Sequence, residues 1–191
     1  MSAIASVVRR HPAVTALLVA AVVVGASVGL FLFQPWKLWV DETVNEPLPG
    51  APAVAEEPAE GTDAQGNGEP DQQQAPPFET LARGGFRSLA HAGEGTALVL
   101  ERDDGARFLR FENFEVENGP DLKVYLSTAP ADSEDDDDFN VDFVSLGALK
   151  GNVGDQNYEI PDSVDLSRYQ SAVIWCRRFA VGFAVAPLDA A

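Results

Sequence analysis

Cys176 is the only cysteine in the chain and lies in the run Val173-Ile174-Trp175-Cys176-Arg177-Arg178-Phe179. A thiolate is a nucleophile and an oxidisable group, and its reactivity follows its ionised fraction and its exposure. On a strand, side chains alternate faces, so Ile174, Cys176 and Arg178 share one side and Val173, Trp175 and Arg177 the other. Arg178 is then the nearest same-face cation in sequence, and near the surface it would stabilise the Cys176 thiolate. The residues by themselves favour the opposite reading: a free cysteine on a central strand with both faces covered is a small inert hydrophobe. One thiol also limits the chemistry. A dithiol cycle would need a partner's sulfur or a sulfenic acid intermediate, so the chain is not a self-contained oxidoreductase.

His91 follows Ser88-Leu89-Ala90 and precedes Ala92-Gly93, in the expected loop before a strand. The only methionine is Met1 and the only other histidine is His11. A haem held by His and Met, or by two His, is therefore excluded within one copy of the folded region, and no cofactor is predicted. Asp132-Ser133-Glu134-Asp135-Asp136-Asp137-Asp138 is the most charged stretch. It lacks the spaced Asp and central Gly of a calcium loop, so a solvated, self-repelling loop is expected, with His91, Asp135 and Asp137 only weak metal candidates. Gly119-Pro120-Asp121-Leu122 and Gly151-Asn152-Val153-Gly154 read as turns. No Gly-x-Ser-x-Gly, His-Glu-x-x-His or Cys-x-x-Cys occurs in residues 78–191, which leaves hydrolase chemistry without material there.

The elements that must position Cys176 begin at a membrane. Arg9, Arg10 and His11 precede an uncharged stretch, Ala13 to Phe33. As a helix it would rise roughly 31 Å, against a hydrocarbon core of about 30 Å. Pro35, Trp36, Lys37 and Trp39 follow as a stop and an interfacial set. The positive-inside rule makes residues 1–12 a cytoplasmic N-terminus, 13–34 a transmembrane signal anchor in the bilayer, and the remainder extracytoplasmic. A cleaved signal peptide with its site near Gly25 to Ser27 is the alternative. Residues 35–77 then change character: from Asp41 to Pro77 there are seven prolines, nine acidic residues and no Lys or Arg. A disordered acidic tether is expected, with an r.m.s. span of roughly 30 to 35 Å.

Residues 78–191 carry ten basic against 21 acidic residues. That surface repels phosphate, and nucleic acid is not an expected partner. Strand patterns run from Thr96 to Leu100, Arg107 to Phe111, Leu122 to Leu126, Phe143 to Leu146, Ala172 to Arg177 and Val181 to Val185, with a helical turn near Val164 to Tyr169. Gly and Asp clusters separate them, which predicts an all-β fold: one antiparallel β-sandwich domain, preceded by one transmembrane helix and a disordered linker.

The motifs Leu109-Arg110-Phe111-Glu112-Asn113-Phe114, Gly119-Pro120-Asp121-Leu122-Lys123-Val124-Tyr125-Leu126 and Leu149-Lys150-Gly151-Asn152 occur in order. Gln156-Asn157-Tyr158-Glu159-Ile160-Pro161, the Cys176 run and Phe183-Ala184-Val185-Ala186 continue the series. Together these resemble the DM13 domain across residues 84 to 187. The resemblance implies a β-sandwich module of the kind found beside DOMON and b-type cytochrome domains, with Cys176 at the position proposed to act in electron transfer. It implies a membrane or extracytoplasmic redox protein as partner. The second expectation is of another class: a non-enzymatic binding or adhesion module of the cell envelope that recognises a protein or cation.

Overall fold

The chain is described by a computed structural model over residues 12–33, 40–49 and 78–191. These fall into two units divided between Val40 and Asp41. In the first, helix α1 spans Pro12–Phe33 and has no acidic residue in its first turn and no basic residue in its last. Proline opens it, where the missing N–H is not needed. The helix is long and apolar enough to cross a membrane. The expected cytoplasmic residues 1–11 and most of the expected tether, residues 50–77, lie outside the described residues.

The second unit is the expected β-sandwich, two five-stranded antiparallel sheets. The first has the order β10 (Asp189–Ala190), β1 (Phe78–Gly85), β3 (Gly93–Arg102), β4 (Arg107–Val116), β7 (Gln156–Ile160). The second has the order β2 (Arg87–Ser88), β9 (Val181–Pro187), β8 (Ser171–Cys176), β5 (Leu122–Ser127), β6 (Phe143–Ala148). Alternate residues of the two sheets meet in one core: Ala97, Val99, Leu109 and Phe111 from the first, Leu122, Val124, Ile174 and Ala184 from the second. Phe86, Phe111, Phe114 and Tyr158 form an aromatic cluster within it, with ring centroids 4.9 to 5.4 Å apart.

The second sheet is covered on its outer side too. Tyr125, Val173, Trp175 and Val185 point away from the main core and pack with Ala129, Ala131 and Phe139. This corrects the reading of Asp132 to Asp138 as a purely solvated loop. Asp136–Asn140 form a 3-10 turn, capped by the Asp135 carboxylate accepting from the Asp137 N–H at 3.0 Å. The turn places Phe139 under the sheet with none of its surface exposed. The acidic residues ride on an apolar plug, which the charge run in the sequence conceals.

Asp136 is drawn partly inward by this arrangement, and burial raises its carboxyl above the ordinary range against the pull of Arg87. A carboxyl with a raised folded-state pKa binds its proton more tightly in the folded state, so stability is lost as pH rises through that pKa. Asp136→Asn is therefore expected to raise Tm at pH 7. The difference from wild type should vanish at and below about pH 4, in thermal melts across that range.

The largest departure from expectation concerns Asp41 to Leu48. Composition places them in a featureless tether, yet they lie extended along the domain. Thr43 forms a parallel bridge with Val153, and the Val44 N–H donates to the Val153 carbonyl at 2.9 Å. Val44, Glu46 and Leu48 are half-buried while Thr43, Asn45 and Pro47 are exposed, the alternation of a strand. Two prolines and three carboxylates within Asp41 to Pro49 hide that alternation in the sequence.

Candidate functional site

Cys176 is the last residue of β8, in register with Leu122 of β5 and Val181 of β9. Its side chain points into the main core with Leu122, Ile174 and Phe183, and none of its surface is exposed. β8 is buried along its whole length because both faces of its sheet are covered. The chain then turns at once through Arg177, Arg178, Phe179 and Ala180, all exposed, with Ala180 at a φ of 51°. The thiol thus sits directly beneath an exposed hairpin turn at one end of the sandwich.

Arg178 belongs to that turn and not to the strand. The alternation that would put it on the face of Cys176 ends with the strand, two residues too early. The neighbouring Arg177 donates its Nε to Asp121 Oδ2 at 3.0 Å, while Lys123 Nζ meets Asp121 Oδ1 at 2.9 Å. Burial pushes the Asp121 carboxyl up, and Lys123 and Arg177 outweigh it to hold it below the ordinary range. The end of β8 is therefore tied to the start of β5 by charge as well as by the Arg177 N–H bond to the Asp121 carbonyl.

The enclosure of Cys176 fixes the order in which substitutions should cost. Cys176→Ala removes one sulfur from a packed site, about 1 kcal/mol of stability. Cys176→Ser keeps the shape but buries a hydroxyl among apolar side chains, about 1–3 kcal/mol. Urea melts should rank serine below alanine; the reverse order would show a wet or polar surrounding.

His91 is brought to Glu117 and Phe183. Its Nδ1 lies 2.8 Å from Glu117 Oε2, so Nδ1 carries the proton and donates, and its ring stacks on Phe183 at 3.8 Å. The His91 hydrogen bond holds the Glu117 carboxyl below its ordinary range. Asp135 caps the 3-10 turn, and Asp137 lies within that turn. Among the described residues, no three His, Cys, Asp or Glu side chains converge so as to hold a metal ion. The other end of the sandwich holds a cavity of about 750 Å³ bordered by Leu81, Val99, Leu166, Tyr169, Leu188 and Arg87. Cys176 does not border it.

A further constellation escaped the sequence reading. Arg110 projects outward from β4, yet it is only 5% exposed. Its guanidinium donates to Glu112 at 2.8 Å, to Asp155 and Asn157 at 2.9 Å, and to the Glu46 carbonyl at 3.2 Å. Lys150 Nζ meets the two Glu46 carboxylate oxygens at 2.7 and 2.9 Å. The signal available in sequence was a lone arginine inside the apolar run Leu109 to Phe111, together with glycines at 151 and 154.

A family model described as Electron transfer DM13 matches residues 85–188. Comparison with curated proteins and with solved structures gave no match.

Proposed function

The chain belongs to the DM13 electron-transfer family, and from that membership we propose that it is a membrane-anchored, extracytoplasmic electron-transfer module whose redox group is Cys176. Helix α1 would serve as the signal anchor, with Arg9 and Arg10 on the cytoplasmic side. The partner is an extracytoplasmic or membrane redox protein bearing a disulfide. In the exchange, the Cys176 thiolate attacks one sulfur of that disulfide. A mixed disulfide forms, the partner's other sulfur leaves as a thiolate, and the Cys176 proton goes to solvent. The Cys176 thiolate of a second copy then attacks the Cys176 sulfur of the mixed disulfide, the partner's remaining sulfur leaves as a thiolate, and two copies joined by a Cys176–Cys176 disulfide are left beside a partner reduced to two thiols.

The observation that carries this reading is the place of Cys176 at the strand end, directly under the exposed turn Arg177 to Ala180. Ala180 holds a positive φ, which disfavours the turn by about 1 kcal/mol relative to an ordinary backbone. Local opening of such a turn costs less than global unfolding. Transient release of the β8–β9 end would present the thiol without dissolving the domain.

The second reading, a binding module of the envelope, draws on a different observation: the thiol is enclosed and the 750 Å³ cavity lies away from it. One experiment separates them. Full-length protein in detergent is treated with a thiol-alkylating probe from pH 5 to 9, with a denatured control and with urea added below the unfolding transition. The electron-transfer reading expects slow labelling in native buffer that exceeds the global unfolding rate and responds weakly to urea. Labelling that tracks global unfolding at every urea concentration would remove Cys176 from the mechanism and put the binding module first.

A further inference from the structure

We infer that the domain edge from Lys150 to Asn157 is a peptide-binding site for an extended acidic sequence, occupied by this chain's own Asp41 to Leu48 as an exchangeable clasp. The inference depends on neither the anchor nor the thiol reading, and both the clasp and its length of chain precede the family match at residue 85.

The backbone contacts have the form of strand addition. The Val153 N–H donates to the Glu42 carbonyl at 3.3 Å, the Val44 N–H to Val153 at 2.9 Å and the Glu46 N–H to Asp155 at 2.8 Å. Every second residue of the peptide thus engages the edge, as in parallel pairing. The edge is shaped for the approach. A side chain at Gly151 would collide with the Glu42 carbonyl, and one at Gly154 with the Val44 carbonyl; Gly154 also holds a φ of 99°. On its far side Val153 bridges Glu115, which fixes the edge to the end of β4.

Side chains supply the selectivity. Asn152, only 3% exposed, accepts from the Glu42 N–H at 2.7 Å and donates to the Asp41 carboxylate at 2.8 Å. Its amide is held in place by the Val116 carbonyl at 3.2 Å. Lys150 Nζ and the Asn157 N–H, the latter at 2.8 Å, both bind the Glu46 carboxylate. Asn157 also donates to the Pro47 carbonyl at 2.8 Å. Lys150 is thus complementary to the carboxylate at the sixth position of the peptide, the Asn152 amide binds the one at the first, and the enclosed Arg110 holds the Glu46 carbonyl.

Exchangeability follows from how the segment is held. Its contacts are mostly polar, and Val44 and Leu48 are only half-buried. Such hydrogen bonds and a partly exposed ion pair each contribute little net stability. The clasp therefore belongs to the low-stability end of the unit, where local release precedes unfolding. Closed, it ties Asp41 directly to the domain; open, the domain is joined to Asp41 only through residues 42–77. Clasp release thus sets how much chain separates the domain from whatever holds its N-terminal side.

The test uses the full chain in detergent with a site-specific protease sequence inserted between residues 62 and 68. After cutting, the N-terminal piece is expected to co-elute with the domain on size exclusion, and an excess of synthetic peptide covering residues 40–49 should displace it. Glu46→Ala should speed release about tenfold. Val44→Pro, which deletes the donor to Val153, should abolish co-elution. Both changes lie on the peptide and leave the domain core intact. Immediate separation of the wild-type pieces, co-elution that survives Val44→Pro, or no displacement by the peptide would each overturn the inference. An uncut control and the position of the helix-bearing piece show independently whether α1 inserts in detergent.

Discussion

Phe111→Ala is expected to lower the unfolding free energy by about 3–5 kcal/mol, the range for an aromatic removed from a packed core. Phe111 is wholly buried at the centre of β4. Its ring meets Phe86 edge-on at 5.0 Å, Phe114 at 4.9 Å and Tyr158 at 5.4 Å. No neighbour is free to fill the void, because Phe86 and Phe114 also lean on each other at 5.0 Å and Tyr158 is held by its hydroxyl bond to Gln156 at 2.7 Å. Against a typical total of about 5–15 kcal/mol, the variant should melt about 10–20 °C lower. Phe111→Leu keeps most of the volume and should cost about 1.5 kcal/mol or less. Urea melts at constant slope decide it. A loss below 1.5 kcal/mol for alanine would mean that the two sheets collapse onto the gap and that the aromatic cluster does not set their spacing.

β4 also shows why the sequence revealed its fold in part. Leu109 and Phe111 are inward and alternate cleanly, so a strand to Phe111 could be read directly. Beyond that the phase slips: Phe114 and Val116 are inward, one residue out of step. The structure explains the slip by a bulge, since Glu112 pairs with Thr96 and Glu115 with Glu94, leaving Asn113 and Phe114 opposite the single Gly95. Asn113 takes a φ of 49° and Gly95 one of 111° to allow it. A period-2 reading must stop at such a point. β1 and β7 were missed for a related reason: Phe78 to Gly85 ends in two glycines and never buries a full face, and Gln156 to Ile160 mixes amides with its apolar residues.

The candidate site was legible to a smaller extent. The position of Cys176 on a strand followed from β-branched and aromatic neighbours, and the possibility of a core thiol followed from its place among them. The end of the strand did not follow, because Arg177 and Arg178 are compatible with either an exposed strand or a turn. The clasp was illegible on composition alone. Its alternation of Val44, Glu46 and Leu48 spans only three inward positions, and one of them is a carboxylate whose partners Lys150 and Asn157 are more than a hundred residues away. Local pattern carries no information about a contact of that separation.

Arg110→Ala should be the second costly change, about 2–3 kcal/mol. Breaking a buried ion pair by deleting one partner costs about 3–5 kcal/mol when the other charge stays enclosed. Here the side chains of Asp155 and Glu112 are 34% and 40% exposed and can recover water, which lowers the expectation. Arg110→Lys retains charge but cannot reach Glu112, Asp155, Asn157 and the Glu46 carbonyl together, so about 1–2 kcal/mol should still be lost. Part of the cost lies in the clasp, because Arg110 holds the Glu46 carbonyl directly and orients Asn157, which holds Pro47. The double variant Arg110→Ala with Val44→Pro should therefore lose less than the sum of the single losses, by about 0.5–1 kcal/mol. Strict additivity would mean that Arg110 stabilises only the β4–β7 pairing. A total loss below 0.5 kcal/mol would mean that the guanidinium and its four partners are as well served by water.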